Sequence, residues 1–407
     1  MPKTISIIGG GAAGFFSAIN IAKKNPSYRI TIYEASNNLL SKVLISGGGR
    51  CNVTNTISDP KVLVNNYPRG FDFLGSVFNK FTTLDTQKWF TKHGVNLKTE
   101  SDGRVFPATD SSETIYKCLY QNCIELGVNI KLKHRLIDLT FNQGKWHLKF
   151  KVKAQHESSD IAILATGINS GIIRLLEKLS IPIIQPVPSL FTFNSKNHKQ
   201  LNLSGISVSN ALVSINELPN RTENGSLLIT HWGYSGPSIL KLSSWLAFDI
   251  EKLNYDFNLS INWNSYDLKS LEKRLFLNVI NNPKQKVRNW NEHGLPKRLW
   301  QQLFDSTGFK DYVNWSEIGK KGIDKLISIL TKYEVRILGK TTYKEEFVTA
   351  GGINLGAVDV NSFSIKNHSN LYAVGELLNI DAVTGGFNFQ AAWSGAYILS
   401  EHLSNMH

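Results

Sequence analysis

Ten consecutive residues hold the side chains best suited to chemistry: Ser46-Gly47-Gly48-Gly49-Arg50-Cys51-Asn52-Val53-Thr54-Asn55. Three adjacent glycines let the backbone lie against a flat ligand, because no Cβ stands in the way. The residues that follow bring a permanent cation, a thiol and an amide into one place. A reaction that develops enolate charge needs fixed donors, which Arg50 and Asn52 supply. It also needs an acid, and Cys51 is the candidate, since a thiol beside a bound ring titrates in a useful range. Arg50, Cys51 and Asn52 are therefore the candidate catalytic residues. The plainer alternatives are that the run is a structural loop and that Cys51 only packs.

Such a loop needs a scaffold, and residues 4–34 provide one. Thr4-Ile5-Ser6-Ile7-Ile8 reads as a short apolar strand. Gly9, Gly11 and Gly14 fall in the G-x-G-x-x-G register of Gly9–Gly14, an amphipathic helix follows over Phe15–Ala22, and a second strand from Arg29 ends on Glu34. This is the strand-turn-helix-strand setting of dinucleotide binding. Gly9 makes the tight turn, Gly11 lets a pyrophosphate approach the backbone, and Gly14 lets the helix pack close to the strand. Phosphate then sits on the helix N-terminus, where unpaired N–H groups and the dipole favour negative charge. Glu34, 20 residues beyond Gly14, suits both ribose hydroxyls and would repel a 2′-phosphate.

Two further turns point to the same ligand. Ile161 to Ala165 reads as a buried parallel-type strand that stops at Thr166-Gly167. Near the other end, Leu371 to Val374 leads into Gly375-Glu376, and Thr384-Gly385-Gly386-Phe387-Asn388-Phe389-Gln390 precedes a final helix over Ala391–Leu403. A second glycine-rich turn opening a helix gives a second positive dipole end, suited to the pyrimidine side of a flavin, which gains negative charge on reduction. No second G-x-G-x-x-G follows a strand, so a reduced nicotinamide nucleotide is expected only as a transient visitor.

The rest of the chain bounds these readings. Its 407 residues suffice for two or three domains. Cys51, Cys118 and Cys123 make no disulfide framework, and Cys118 and Cys123 fall on different faces of one predicted helix, so no metal site is expected. No run of 18 apolar residues occurs and the chain enters its first strand almost at once, so neither a membrane span nor a signal peptide is expected, and the expected compartment is the cytoplasm. A net charge of +13 points to an anionic partner, of which nucleic acid is the commonest, or else to lysines that merely solubilise.

Residues 72–98 read as helical, Gly103-Arg104-Val105-Phe106-Pro107 as a turn, and Ser111 to Leu126 as another helix. Strands follow at 128–133, 135–141 and 145–152, the last two joined by a hairpin at Asn142-Gln143-Gly144. Pro182, Pro186 and Pro188 mark a boundary. Residues 189–262 read as short strands with turns at Asn202, Asn220 and Gly225, forming a small barrel or sandwich that residues 334–346 complete. Within it lies Thr230-His231-Trp232-Gly233-Tyr234-Ser235-Gly236-Pro237, whose histidine is either structural or catalytic. Residues 263–333 read as helices with 13 basic residues against 7 acidic ones and with Trp290, Trp300 and Trp315 interleaved. This basic piece is the expected place of nucleic-acid contact, since phosphate neutralisation supplies most of such affinity.

Together, the Ser46–Asn55 run, Gly103–Pro107, Thr230–Pro237, Gly375-Glu376 and Thr384–Gln390 resemble the BaiN/RdsA family of FAD-dependent oxidoreductases, also described as aminoacetone-oxidase-like, and they do so across nearly the whole chain. The resemblance implies an α/β, two-dinucleotide-binding (Rossmann-like) FAD domain built from residues 1–188 and 347–407, with an inserted small β-barrel and a helical subdomain. It carries FAD binding onto Gly9, Gly11, Gly14, Glu34, Gly385, Gly386 and Asn388, and sets Arg50, Cys51 and Asn52 near the isoalloxazine. Ala12, Ala13, Lys42, Gly48, Gly49, Thr166, Gly167, Gly375, Glu376 and Phe387 complete the expected cofactor wall. Activities across the family include reduction of conjugated C=C bonds by NAD(P)H, among them uridine to dihydrouridine in large-subunit ribosomal RNA, and oxidation of small amines. The expected reaction adds hydride to C6 of uridine and a proton to C5, the RNA held by the basic helical subdomain. The alternatives are a small-molecule flavoenzyme, either an amine oxidase or an enone reductase, and a non-catalytic flavin-bearing factor on ribosomes.

Overall fold

The computed structural model describes residues 2–152, 156–195, 203–341 and 348–406. The turn expected at Asn202 and the domain limit expected at 346–347 lie outside them. The chain divides into two compact units, Met1–Pro188 with Lys344–His407, and Ser189–Tyr343.

The first unit is organised on a parallel sheet. β1 (Thr4–Ile8) lies between β2 (Arg29–Tyr33) and β10 (Ile161–Leu164), with β6 (Asn129–Lys131) and β20 (Leu371–Ala373) at the edges, in the order β20-β10-β1-β2-β6. Ile5 registers with Ile30 on one side and Ile161 on the other. A strand covered on both faces cannot alternate polar and apolar residues, hence the near-continuous Ile, Leu and Ala of β1 and β10. α1 (Ala12–Lys24) packs against α13 (Phe387–Ser404), where Phe16 meets Trp393 with ring centroids 5.1 Å apart.

The helical stretch expected over 72–98 is divided and ends in a strand. α3 (Pro60–Leu63) and α4 (Phe71–Phe78) precede α5 (Thr83–Lys92), which starts afresh because Thr82 and Asp85 form a capping box. β4 (Leu97–Thr99) and β5 (Arg104–Pro107) then pair with β3 (Thr54–Asn55), and α6 (Ser112–Glu125) follows. β7 (Leu136–Asn142), β8 (Lys145–Phe150) and β9 (His156–Ser159) make an antiparallel sheet, with Gln143 and Gly144 both at positive φ in the hairpin turn, as a type I′ turn requires. α2 (Ser41–Gly49) lies between β2 and β3, α7 (Ser170–Lys178) follows β10, and β11 (Ile183–Ser189) pairs with β19 (Val348–Ile353).

The second unit carries a seven-stranded sheet in the order β17-β16-β13-β14-β15-β12-β18. Its strands are β12 (Thr192–Asn194), β13 (Ser207–Ile215), β14 (Leu218–Ile229), β15 (Gly233–Ser235), β16 (Asp256–Asn262), β17 (Tyr333–Leu338) and β18 (Lys340–Thr341). The end strands β17 and β18 are not paired with each other among the described residues. Asn220 is not a turn but part of β14; the reversal comes before Leu218, and Gly225 sits opposite the register shift between Val208 and Ala211. α8 (Pro237–Trp245), α9 (Ala247–Lys252), α10 (Leu268–Asn281), α11 (Lys297–Ser306) and α12 (Gly319–Thr331) complete the unit. Trp290, Trp300 and Trp315 are buried in its core, which leaves the lysines of the same segments outside.

In the first unit a buried ion pair closes the ring of elements. Arg69 meets Asp381, whose side chain is 0% exposed, while the Val383 N–H donates to the Asn66 carbonyl at 3.0 Å. Removing one partner of such a pair leaves an uncompensated charge, which costs about 3–5 kcal/mol, whereas replacing both by apolar residues is often neutral. Arg69→Ala should therefore lower the urea midpoint sharply and Arg69→Met with Asp381→Leu should recover much of it, a contrast that denaturation followed by tryptophan fluorescence would measure.

Candidate functional site

The glycines of the first loop have three distinct environments. A Cβ on Gly9, which has φ 116°, would stand 2.3 Å from the Ala165 carbonyl oxygen, and one on Gly14 would stand 2.1 Å from the Gly9 oxygen. A Cβ on Gly11 would meet nothing within 4 Å. Gly9 and Gly14 are thus required by the protein's own packing, and Gly11 faces open space. Gly11 is also the N-cap of α1 and offers no side-chain cap, so the first N–H groups of the helix stay available to an anion. Glu34 is fixed beside this loop: the Gly10 N–H donates to its Oε2 at 2.9 Å and the Ser36 N–H to its Oε1 at 2.8 Å. Each oxygen keeps a second lone pair for a ribose hydroxyl.

The other expected wall residues gather around the same turn. Ala165 pairs with Ile8 through its N–H, and the Thr166 hydroxyl donates to the Gly167 carbonyl at 2.6 Å. Gly375, at φ 74°, would bring a Cβ within 2.8 Å of the Ala13 Cβ, so only glycine lets this turn approach the start of α1. Glu376 forms an ion pair with Lys42.

The ten-residue run folds as a helix end and a short strand. α2 loses helical geometry at Ser46, and Gly47, Gly48 and Gly49 take φ of 59°, 68° and 82° in succession. All three are exposed, and a Cβ on Gly48 or Gly49 would meet nothing within 4 Å. The strand that follows interlocks with the start of α13. With its amide oxygen toward α13, Asn52 accepts from the Gly386 N–H at 2.8 Å, and its amide nitrogen donates to the carbonyls of Thr54 and Val105. The Thr54 hydroxyl donates to Gln390 Oε1 at 2.5 Å, Asn55 Nδ2 donates to the Gly385 carbonyl at 3.0 Å, and Trp393 Nε1 donates to the Val53 carbonyl at 3.0 Å. Gly386 has φ 86°, and a Cβ there would strike the Thr54 carbonyl at 2.5 Å. α13 starts at Phe387, four residues before the expected helix, and it too has no side-chain cap.

Arg50, Cys51 and Asn52 are adjacent in space as in sequence, yet only Arg50 offers a free face. Its guanidinium lies 4.1 Å from the Phe106 ring centroid and donates to Glu100 at 2.6 Å, and its side chain remains 34% exposed. Glu100 also receives Arg104 at 2.8 Å, so the carboxylate is held between two cations. Asn52 is committed to Gly386, Thr54 and Val105, which makes it a brace. Cys51, expected as the acid or else as a packing residue, lies in the setting of the second. It is 0% exposed, takes φ 59°, and burial pushes its thiol up to about 12. A thiol enclosed in this way has the environment of a packing residue. Asn388 also turns inward, bonding the Ala382 N–H at 3.0 Å and the Ala382 carbonyl at 3.2 Å. His231 is exposed, in a turn where the Thr230 hydroxyl accepts from Gly233 N–H at 3.2 Å.

Phe106, Glu100 and Gln390 hold the site but were not legible as site residues. Phe106 lies in the Gly103–Pro107 motif and Gln390 closes the Thr384–Gln390 motif, so presence in those motifs was the available signal; Glu100 carried none.

The family described as HI0933-like protein Rossmann domain matches residues 3–402, and the chain belongs to it. The chain is 28% identical to the "Ribosomal RNA dihydrouridine synthase" of Haemophilus influenzae over 98% of each chain. It is 24% identical to the "3-dehydro-bile acid delta(4,6)-reductase" of Clostridium scindens over 97% of each. Among solved structures, a 3-ketosteroid-delta4-(5alpha)-dehydrogenase of Rhodococcus jostii shares the fold with a TM-score of 0.52 at 12% identity, over 99% of this chain and 96% of that one. The chain is an FAD-dependent oxidoreductase, and two uncapped helix starts, a held carboxylate at Glu34 and open main chain at Gly11, Gly48 and Gly49 fit that cofactor. Among the described residues, no helix is long and apolar enough to cross a membrane.

Because Gly11 has φ −95° and an open Cβ direction, a side chain there is compatible with the fold but not with a phosphate. Gly11→Val should leave the melting temperature of the flavin-free protein within a few degrees while weakening FAD retention at least about tenfold, a loss of about 1.4 kcal/mol in binding. Equilibrium dialysis against FAD, beside thermal melts, would check both halves.

Proposed function

From this chain's place in the HI0933-like family, we propose that it reduces the C5=C6 bond of a uridine in large-subunit ribosomal RNA, with NAD(P)H as the reductant. The balance is uridine, NAD(P)H and one proton giving dihydrouridine and NAD(P)+. The likeness to the Haemophilus influenzae protein over 98% of both chains is the observation that carries the reading. FAD, when bound, supplies the two-electron chemistry that links nucleotide to substrate.

The chain's own residues supply position and field. The exposed main chain of Gly48 and Gly49 admits a planar ring, and the N–H groups at the start of α13 face developing negative charge with no competing cap. Arg50, stiffened by Phe106 and Glu100, is the group for a uracil carbonyl oxygen, where a fixed cation gains as enolate charge grows and costs little reorganisation. Asn52 acts through Gly386 as a positioning residue. A uridine in a duplex must leave the stack to reach such a site. The cytoplasmic setting expected from the sequence belongs with this substrate.

The second reading, reduction of a small enone, is favoured by the likeness to the bile acid reductase. Both readings share a C=C bond conjugated to a carbonyl, so the substrate alone separates them. Anaerobic addition of NADH or NADPH should bleach the bound flavin. Large-subunit RNA from a strain lacking the gene should restore its colour and gain 2 Da at one uridine by mass spectrometry, as the addition of two hydrogens requires. Colour restored by a steroid enone but not by that RNA would overturn the first reading.

Cys51 gives a sharper test. With its thiol pushed up to about 12, it stays protonated across pH 6–9 and contributes no inflection to the rate of flavin reoxidation there. Cys51→Ala should keep turnover within about twofold while costing about 1 kcal/mol of stability, typical of a small change in a packed interior. A loss of a hundredfold in turnover at unchanged flavin content would restore the thiol to the role of acid.

A further inference from the structure

A second charged surface lies in the flavin-bearing unit, away from the glycine loops. α1 ends in Lys23-Lys24, and α5 carries Lys88, Lys92 and His93 at its own end; together with Lys80 they line a cleft of about 410 Å3, the size of a ligand site rather than of one bound ion. Five lysines line it against one carboxylate, Asp85. That carboxylate is already committed to the Thr82 N–H at 2.8 Å and the Thr82 hydroxyl at 2.9 Å, in the cap of α5. Lys24 has Glu401 as its partner and Lys80 donates to Asn361 Oδ1 at 2.8 Å, but Lys23, Lys80, Lys88 and Lys92 have no ion pair among the described residues.

The unpaired charges press on one another. Lys23 Nζ lies in hydrogen-bonding contact with His93 Nε2, so the imidazole must accept there, while its Nδ1 contacts the Trp89 carbonyl at 2.6 Å. Burial, then the charge of Lys92, lowers the pKa of Lys23. Burial also lowers that of His93, against the pull of the Trp89 carbonyl, and Lys23 and Lys92 add to the lowering. Lysines at a helix C-terminus have an ordinary explanation in the helix dipole, which favours cations in the last turn. That explanation covers Lys23, Lys24 and Lys92 singly. It does not explain why two helices and the Lys80 turn bring five lysines to one cleft whose only lining carboxylate, Asp85, is committed to the α5 cap, with Glu401 on Lys24 and Glu125 near Lys23 as the other acids at hand. An anion placed between Lys23, Lys88 and Lys92 would relieve the mutual repulsion.

We propose that this cleft, formed by α1, α5 and the Lys80 turn, is a docking site for the phosphate backbone of the RNA substrate. The proposal rests on the reading of the chain as an RNA-modifying enzyme and adds a contact surface to it. Lys23 is 12 residues along α1 from Gly11, about 18 Å at the rise of a helix. A small substrate bound at the glycine loop could not touch this cleft, whereas a folded RNA spans that distance readily. Lys88 and Lys92 stand one helical turn apart on the same face of α5, about 6 Å along its axis, and so present two donors in a row to one strand. The surface is sequence-blind: ammonium groups hold phosphate as point charges and leave the choice of uridine to the site itself.

The test compares the FAD-loaded wild type with Lys23→Gln/Lys88→Gln/Lys92→Gln, using a structured fragment of large-subunit RNA in a fluorescence anisotropy titration across salt concentrations. The expected result is at least tenfold weaker binding at about 0.1 M salt, and a log–log salt slope shallower by roughly 2–3, the signature of two or three lost phosphate contacts. Flavin content and bleaching by NAD(P)H should match the wild type, which shows that the variant is folded. Unchanged affinity and slope in the variant, with the RNA still reduced by both proteins, would overturn the docking site and leave the proposed activity standing. Loss of binding to phosphatidylglycerol vesicles but not to RNA would overturn it in favour of a lipid surface. If the wild type itself shows no salt-dependent affinity for structured RNA and the RNA is not reduced, both the site and the activity fall.

Discussion

The join between residues 52–55 and the first turns of α13 is the constraint on which the rest of the site depends. Two pieces of chain more than 300 positions apart meet through main-chain carbonyls and side-chain amides: Asn52 with Gly386, Asn55 with Gly385, Thr54 with Gln390 and Val53 with Trp393. Gln390 is 0% exposed and satisfied on both sides, since Thr86 also donates to its oxygen at 2.9 Å and its nitrogen donates to Ser394 at 2.9 Å. A buried amide left without such partners would cost about 1–3 kcal/mol, so the network specifies one register and no other. That register sets the glycine loop before α13 and fixes where the N–H groups of the helix point.

The glycines differ in why they are glycine, and what a Cβ would strike, together with the sign of φ, separates them. Gly9, Gly14, Gly375 and Gly386 each bring two segments of main chain or side chain closer than any Cβ permits. Gly11, Gly48 and Gly49 have room for a side chain within the protein alone. Close packing accounts for the first group, left-handed backbone at φ 68° and 82° accounts for Gly48 and Gly49, and Gly11 alone has neither reason to be glycine within the protein. The ring of close approaches holds β1, β10, β20 and α13 at one end of the sheet, which is where the crevice of an open α/β sheet receives its ligand.

Much of this was legible from short motifs, because each fingerprint glycine carries a steric requirement that spacing alone reveals. The parallel strands read correctly from their unbroken apolar runs, and the Gln143-Gly144 hairpin from its turn chemistry. The failures have physical causes. The helix expected over 72–98 ignored the Thr82–Asp85 cap, and the turn expected at Asn220 took a turn-forming residue inside a long strand for a reversal. The burial of Cys51 and its left-handed backbone were likewise not legible, because backbone handedness at a non-glycine residue leaves no mark on composition. Asn52 and Asn388 also show a role that the sequence could not reveal, since both amides brace the chain around α13.

The charge around Arg50 shows how the site and the surface divide electrostatic work. Arg50, Arg104 and Lys98 lie among Glu100, Asp102 and Asp110, linked by contacts such as Arg104 to Asp102 at 2.7 Å and Arg50 to Asp110 at 3.5 Å. Three cations and three carboxylates make this patch nearly neutral as a whole, so it contributes a local, oriented donor without a long-range field. For a ring held beside Gly48 and Gly49, as proposed, the start of α13 would supply a field that is short in range. The excess of +13 resides elsewhere. Charge kept away from the reacting ring cannot tune the chemistry; what it can do is raise the rate and affinity of meeting a polyanion, and that effect is screened by salt where the chemistry is not. On the proposed reading, association would be governed by residues other than those beside the ring, so that each could be altered with little effect on the other.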